Sequence, residues 1–154
     1  MNAYPSYKNI GVEWISKIPS HWETKCLWTI SKIKSITDND HLELLSVYLD
    51  KGVIRFSEVN EKRTNATSEN KSKYQKVEPG NLVLNNQQAW RGSVGVSQYT
   101  GIVSPAYYVL EISKQFDSKY ANYLFRDKSM IGFYVISSKG IGTIQRNLFY
   151  PFIR

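Results

Sequence analysis

The arrangement of apolar and polar positions changes several times along the chain, and each regime predicts a different element. Residues 4–19 show no period; Gly11 and Pro19 punctuate them, and Trp14, Ile18 and Trp22 read as anchors tying an irregular segment to the body. Leu27, Ile30 and Ile33 then recur at helical spacing, predicting a short amphipathic helix over 26–33. The aliphatic and β-branched run 42–49 predicts a strand, and 53–56 a second one after the turn Asp50-Lys51-Gly52. Residues 57–73 are polar with almost no large apolar side chain, which predicts a long loop of the kind that often carries function. Three strand-like runs follow at 82–84, 93–97 and 106–112, separated by turns rich in Asn, Gln and Gly. Asp117 or Ser118 can cap a helix whose Tyr120, Tyr123, Leu124 and Asp127 share one face; 130–136 continues as a second helical segment that Gly140 stops. Together these elements predict an α+β fold, a twisted, mainly antiparallel sheet with a few flanking helices, in one domain spanning 1–154. The chain closes on Tyr150-Pro151-Phe152-Ile153 with no polar tail, giving the expectation of a domain cut from a longer protein.

Composition narrows the class. The 154 residues are 42% hydrophobic, enough for a core and too much for a disordered tail. A lone cysteine can form neither an internal disulfide nor a Cys-rich zinc cluster, which points to an intracellular, cytoplasmic protein. No apolar run approaches the ~18 to 20 residues of a membrane span, so no membrane is expected as a partner. The net charge of +7 argues mildly for a polyanionic partner, and the basic excess is heaviest after residue 120. Asp38, Asp40, Glu43 and Asp50 form the one acidic concentration. A calcium loop counted from Asp38 would need glycine and glutamate where Glu43 and Leu49 stand, so the stretch reads as a solvated turn.

Groups able to carry catalysis are scarce. His21 and His41 lack metal ligands at suitable spacing. Cys26 opens an apolar stretch and reads as a core thiol, although Lys25 beside it could lower its pKa. Glu23-Thr24-Lys25 has the acidic-x-Lys spacing of metal-dependent nucleases without a preceding aspartate to complete a Mg²⁺ site. Gly140-Ile141-Gly142 is a lone GxG after a helix, with Gln145 where a third glycine would stand, so a dinucleotide fingerprint fails. The expectation is a protein that performs no chemistry and holds no cofactor.

What remains suits recognition. Asn85, Asn86, Gln87, Gln88, Trp90 and Arg91 place four carboxamides, an indole and a guanidinium in one turn. Carboxamides pair with adenine and arginine with guanine in a major groove. Equally, Asn85 and Asn86 can simply shape the turn, with Trp90 packing beneath it. In the stretch 137–146, small residues would let backbone approach a phosphate while Ser138, Lys139, Thr143, Gln145 and Arg146 supply donors; a flexible helix-to-strand connection is the competing reading. Arg63, Lys71 and Lys73 in the polar loop complete the set of candidate DNA contacts.

The order of motifs resembles one target recognition domain, the N-terminal one, of the specificity subunit of type I restriction-modification systems. Tyr7-Lys8-Asn9-Ile10-Gly11-Val12-Glu13-Trp14, and after it Ile18-Pro19-Ser20-His21-Trp22, resemble the opening of many such subunits. Val77-Glu78-Pro79-Gly80-Asn81-Leu82-Val83-Leu84, Arg91-Gly92-Ser93-Val94-Gly95-Val96 and 101–109 resemble the strands that follow. The turn 140–146 leading into Asn147-Leu148 resembles the approach to the family's spacer helix. The resemblance implies a non-catalytic reader of one half of a split target in double-stranded DNA. It also implies docking to methyltransferase (modification) subunits, which use S-adenosylmethionine, and through the complex to the restriction subunit. On this resemblance the chain is expected to be a single target recognition domain, lacking the following spacer helix and second domain of a whole subunit.

Overall fold

The computed structural model describes residues 4–59, 70–141 and 145–153. Two strands, β7 (Asn81–Asn85) and β10 (Tyr107–Ile112), form the centre of the fold; they pair antiparallel with Leu82 opposite Leu110 and Val83 opposite Val109. β8 (Val94–Val96) flanks β7, and β3 (Ser31–Lys34) flanks β10, completing a four-stranded sheet of order β3-β10-β7-β8. Every pairing in it is antiparallel.

Alternation along these strands separates two cores. Leu82, Leu84, Leu110, Ile112, Val94 and Val96 face one side. There they pack with Ala121 and Phe125 of α2 (Ser118–Arg126), Phe133 and Tyr134 of α3 (Lys128–Ile136), and the C-terminal Leu148, Tyr150 and Ile153. Val83 and Val109 face the other side. They meet Leu45 and Val47 of β4 (Leu45–Tyr48), Val53 of β5 (Gly52–Arg55), Val77 of β6 (Gln75–Val77) and Val103 of β9 (Gly101–Val103). Because both faces are covered, β7 is a continuous apolar run instead of an alternating one. Gly95 in β8 lets β5 come close: a Cβ there would lie 2.9 Å from the Val53 backbone nitrogen.

The fold is α+β with a mainly antiparallel sheet, as the pattern predicted, and the β4–β5 hairpin forms across the expected turn. Several local expectations are corrected. The helix expected over 26–33 is one turn, α1 (Leu27–Ile30), after which the chain extends into β3, because the free edge of β10 offers Ile33 and its neighbours a ladder. Tertiary pairing overrides a three-residue period this short. β6 and β9 pair with each other although local periodicity announced neither. The irregular N-terminal stretch holds a small ladder, β1 (Tyr7–Lys8) on β2 (Ile18–Pro19). Asp117 caps α2 as expected, accepting from the backbone N–H groups of Lys119 and Tyr120 at 3.0 Å. Of the residues expected to share one face of this helix, Tyr123 is 77% exposed and Asp127 lies just beyond α2 as the cap of α3; the residues that α2 buries are Ala121 and Phe125. Gly140 does not end α3, which stops at Ser137; Gly140 lies inside β11 (Ser138–Ile141), opposite Arg146 of β12 (Gln145–Leu148). No helix among the described residues is long and apolar enough to cross a membrane.

Candidate nucleic-acid interface

The turn between β7 and β8 is held by its own amides. Asn85 Oδ1 accepts the Gln87 N–H at 3.0 Å, an Asx turn, while the Asn85 carbonyl accepts from Gln88. A 3₁₀ turn over Ala89–Arg91 follows, closed by Gly92 at φ 103°, where a side chain would be strained and would press on Ile131 of α3. Ala89 fills the core, whereas Trp90 is half-buried at the surface and donates its indole Nε1–H to the Gln87 carbonyl at 3.0 Å. Trp90 therefore does not pack beneath the turn. It lies on the flank, with the Arg91 guanidinium 5.0 Å from its ring centroid.

In and just after the stretch 137–146, Ser138–Ile141 and Gln145–Leu148 pair antiparallel, β11 on β12, where a loose connection was the competing reading. The pair docks on the turn through Leu148, whose backbone N–H is shared between the Asn86 carbonyl at 2.9 Å and Asn86 Oδ1 at 2.8 Å. The docking brings Arg146 over the same indole, its guanidinium carbon 5.3 Å from the centroid of Trp90. On the neighbouring strand Lys139 stands over the ring of Phe149 at 5.6 Å. Ser138 is tied to α3, its hydroxyl donating to the Tyr134 carbonyl at 2.6 Å.

The two short candidate segments, widely separated in sequence, thus form one surface. Within it Asn85 and Asn86 use their side-chain oxygens to build the turn; Gln87 and Arg91 are exposed and Gln88 is half-buried. Lys71 and Lys73 lie just before β6, whose Gln75 donates to the Tyr107 carbonyl at 2.7 Å; Tyr107 pairs with Asn85, so β6 starts at the same end of the molecule. Arg63 and Thr143 fall outside the described residues, and only the backbone of Gln145 is described.

Among the described residues the ion pairs are Glu23 with Lys25, Glu43 with Arg55, and Glu78 with both Lys34 and Lys76; none involves Lys71, Lys73, Arg91 or Lys139. The Glu23–Lys25 pair is exposed, its side chains 3.3 Å apart. No group of three or more His, Cys, Asp or Glu that could hold a metal occurs among the described residues. Sequence reasoning had the two arginines and Trp90 but not their convergence, because nothing local says that β12 returns to the β7–β8 turn.

No protein-family model matches the chain, and no curated protein matches it.

Proposed function

We propose that this domain reads one half of a bipartite sequence in double-stranded DNA, in the manner of the type I restriction-modification specificity subunits its motifs resemble. The observation that carries the reading is the convergence of Arg91 and Arg146 on Trp90, which merges the carboxamide-rich turn and the basic hairpin into one positively charged surface. On this reading Lys71, Lys73, Lys139 and Arg146 bear on phosphates, and the exposed Gln87 and Arg91, with the half-buried Gln88, discriminate bases. The domain itself catalyses nothing and needs no cofactor. It works in the cytoplasm, directing methyltransferase subunits and, through them, the restriction subunit.

Selection from a randomised duplex pool, followed by binding in rising salt, tests this. The protein should enrich a short motif, and its affinity should fall steeply with salt as condensed counterions are released. Arg91→Ala should erase the preference at one position of that motif, worth ~1 to 3 kcal/mol, whereas Lys139→Ala should weaken all sequences alike. Equal losses on every sequence for Arg91→Ala would assign that residue to the backbone; salt-independent or absent binding would overturn the reading.

A protein-interaction module is the second reading. What favours it is an apolar groove of about 670 Å³ bordered by Trp22, Leu27, Phe116, Tyr120 and Phe133. The exposed aromatics Tyr4, Trp22, Tyr120 and Tyr123 lie on the N-terminal segment and α2; none of the exposed aromatics is on the central sheet. A partner bound there should survive high salt, which separates the two readings.

A further inference from the structure

Trp90 serves the fold only locally, bonding the Gln87 carbonyl of its own turn. It stands outside both hydrophobic cores, half-buried, on a turn whose core contact is made by Ala89. Its ring nevertheless has two guanidinium groups within 5.3 Å of its centroid, one from its sequence neighbour and one from a hairpin strand delivered by the Leu148–Asn86 bonds. Two like charges on one small patch repel, so an arrangement that gathers them must supply attraction, and the negative π face of an indole does so for arginine in particular. A guanidinium that meets a ring with its face directs its in-plane N–H fork away from that ring, the geometry that engages a phosphate or a guanine edge bidentately. Each arginine alone is a long, rotamer-rich side chain that would lose conformational entropy on binding, and holding it beforehand removes part of that cost.

We infer that Trp90 is the positioning residue of the DNA contact, its indole presetting Arg91 and Arg146 so that the two engage a duplex as one unit. The inference rests on the DNA reading above and adds to it a role for a neutral residue that touches no nucleic acid. It makes binding by the two arginines interdependent although they belong to different elements.

The distinguishing measurement is the salt dependence of binding to a B-form duplex carrying the motif enriched in the selection above, by the full chain, for wild type, Trp90→Leu and Trp90→Phe. Leucine keeps apolar volume but has no ring; phenylalanine keeps a smaller π face and loses the bond to the Gln87 carbonyl. Trp90→Leu should weaken binding about tenfold and lower the salt slope, although it removes no charge, by about 0.9 for each phosphate that is no longer neutralised. Trp90→Phe should restore most of both. In the Trp90→Leu background, Arg91→Ala and Arg146→Ala should each cost less than about twofold, against about tenfold in wild type. Melting temperatures close to wild type establish that the variants fold; should Trp90→Leu fail this check, Trp90→Met, which also lacks a ring, replaces it. An unchanged slope in the ringless variant, or arginine losses equal in both backgrounds, overturns the inference and leaves the DNA reading standing. A wild type that binds no duplex overturns both.

Discussion

The hydroxyl of Tyr134 is the most deeply buried ionisable group described, and it donates to the carbonyl of Phe125 at 2.8 Å. Phe125 stands in the last turn of α2, where carbonyls run out of helical partners, so the bond closes that helix end from within the core. Burial pushes the phenol far above its ordinary pKa, so it remains a donor throughout the working pH range. Tyr134→Phe keeps the ring and strands the carbonyl without water. The expected cost is ~1 to 3 kcal/mol, read as a lower urea midpoint with unchanged m-value. An unchanged midpoint would mean that solvent reaches the carbonyl after all. Gly95 is constrained differently, since its missing side chain is where the β5 backbone passes. Gly95→Ala would have to push strands apart rather than turn a side chain, an overpacking defect of ~1 to 3 kcal/mol.

At the scale of elements, Trp14 ties the N-terminal segment to α3, beside Val12 and Ile15, which pack on the same core. The Trp14 indole lies against Gly132, donates to the Ser129 carbonyl at 2.8 Å and meets Phe133 edge-on at 5.2 Å between centroids. A Cβ at residue 132 would sit 2.4 Å from the indole. Gly132→Ala therefore has two opposed effects: it gains ~1 kcal/mol of helix propensity and ejects Trp14. Global stability should barely move while Lys8 and Lys17 become faster trypsin sites; unchanged protection would show that Trp14 does not hold the segment. The anchoring role of Trp14 was legible in the sequence, as were β4, β5, β7, β8 and β10, whose apolar runs are bounded by turn residues. What was not legible depended on a partner distant in the chain. β3 exists because β10 has an edge, β6 because β9 lies beside it, and the surface around Trp90 because β12 returns to Asn86. The face that Tyr120 and Tyr123 share is not the one α2 buries, because tyrosine hydroxyl ends favour water.

For the molecule as a whole, the +7 charge means more once the carboxylates are placed. Glu78 is committed at the turn into β7, bonded to Lys34 at 2.5 Å and to Lys76 at 3.0 Å, far along the strand from Asn85. The hydrogen bond from Lys34, then that from Lys76, holds its carboxyl down at about 2 from an ordinary 4.5. A depressed carboxylate stabilises the fold fully above its unfolded pKa and loses that contribution as pH falls through the folded one. The loss belongs between about pH 4.5 and about 2. Wild type should therefore melt above Glu78→Gln near neutrality, and the two should converge as the pH approaches 2. Because the Glu78 side chain is 41% exposed, the gap should be modest and should narrow with added salt. A gap that persists at low pH would assign the effect to packing instead of charge. The same substitution leaves the Trp90 surface untouched, so duplex binding by Glu78→Gln should match wild type wherever both are folded; a marked change would mean that the DNA contact extends to the opposite end of β7.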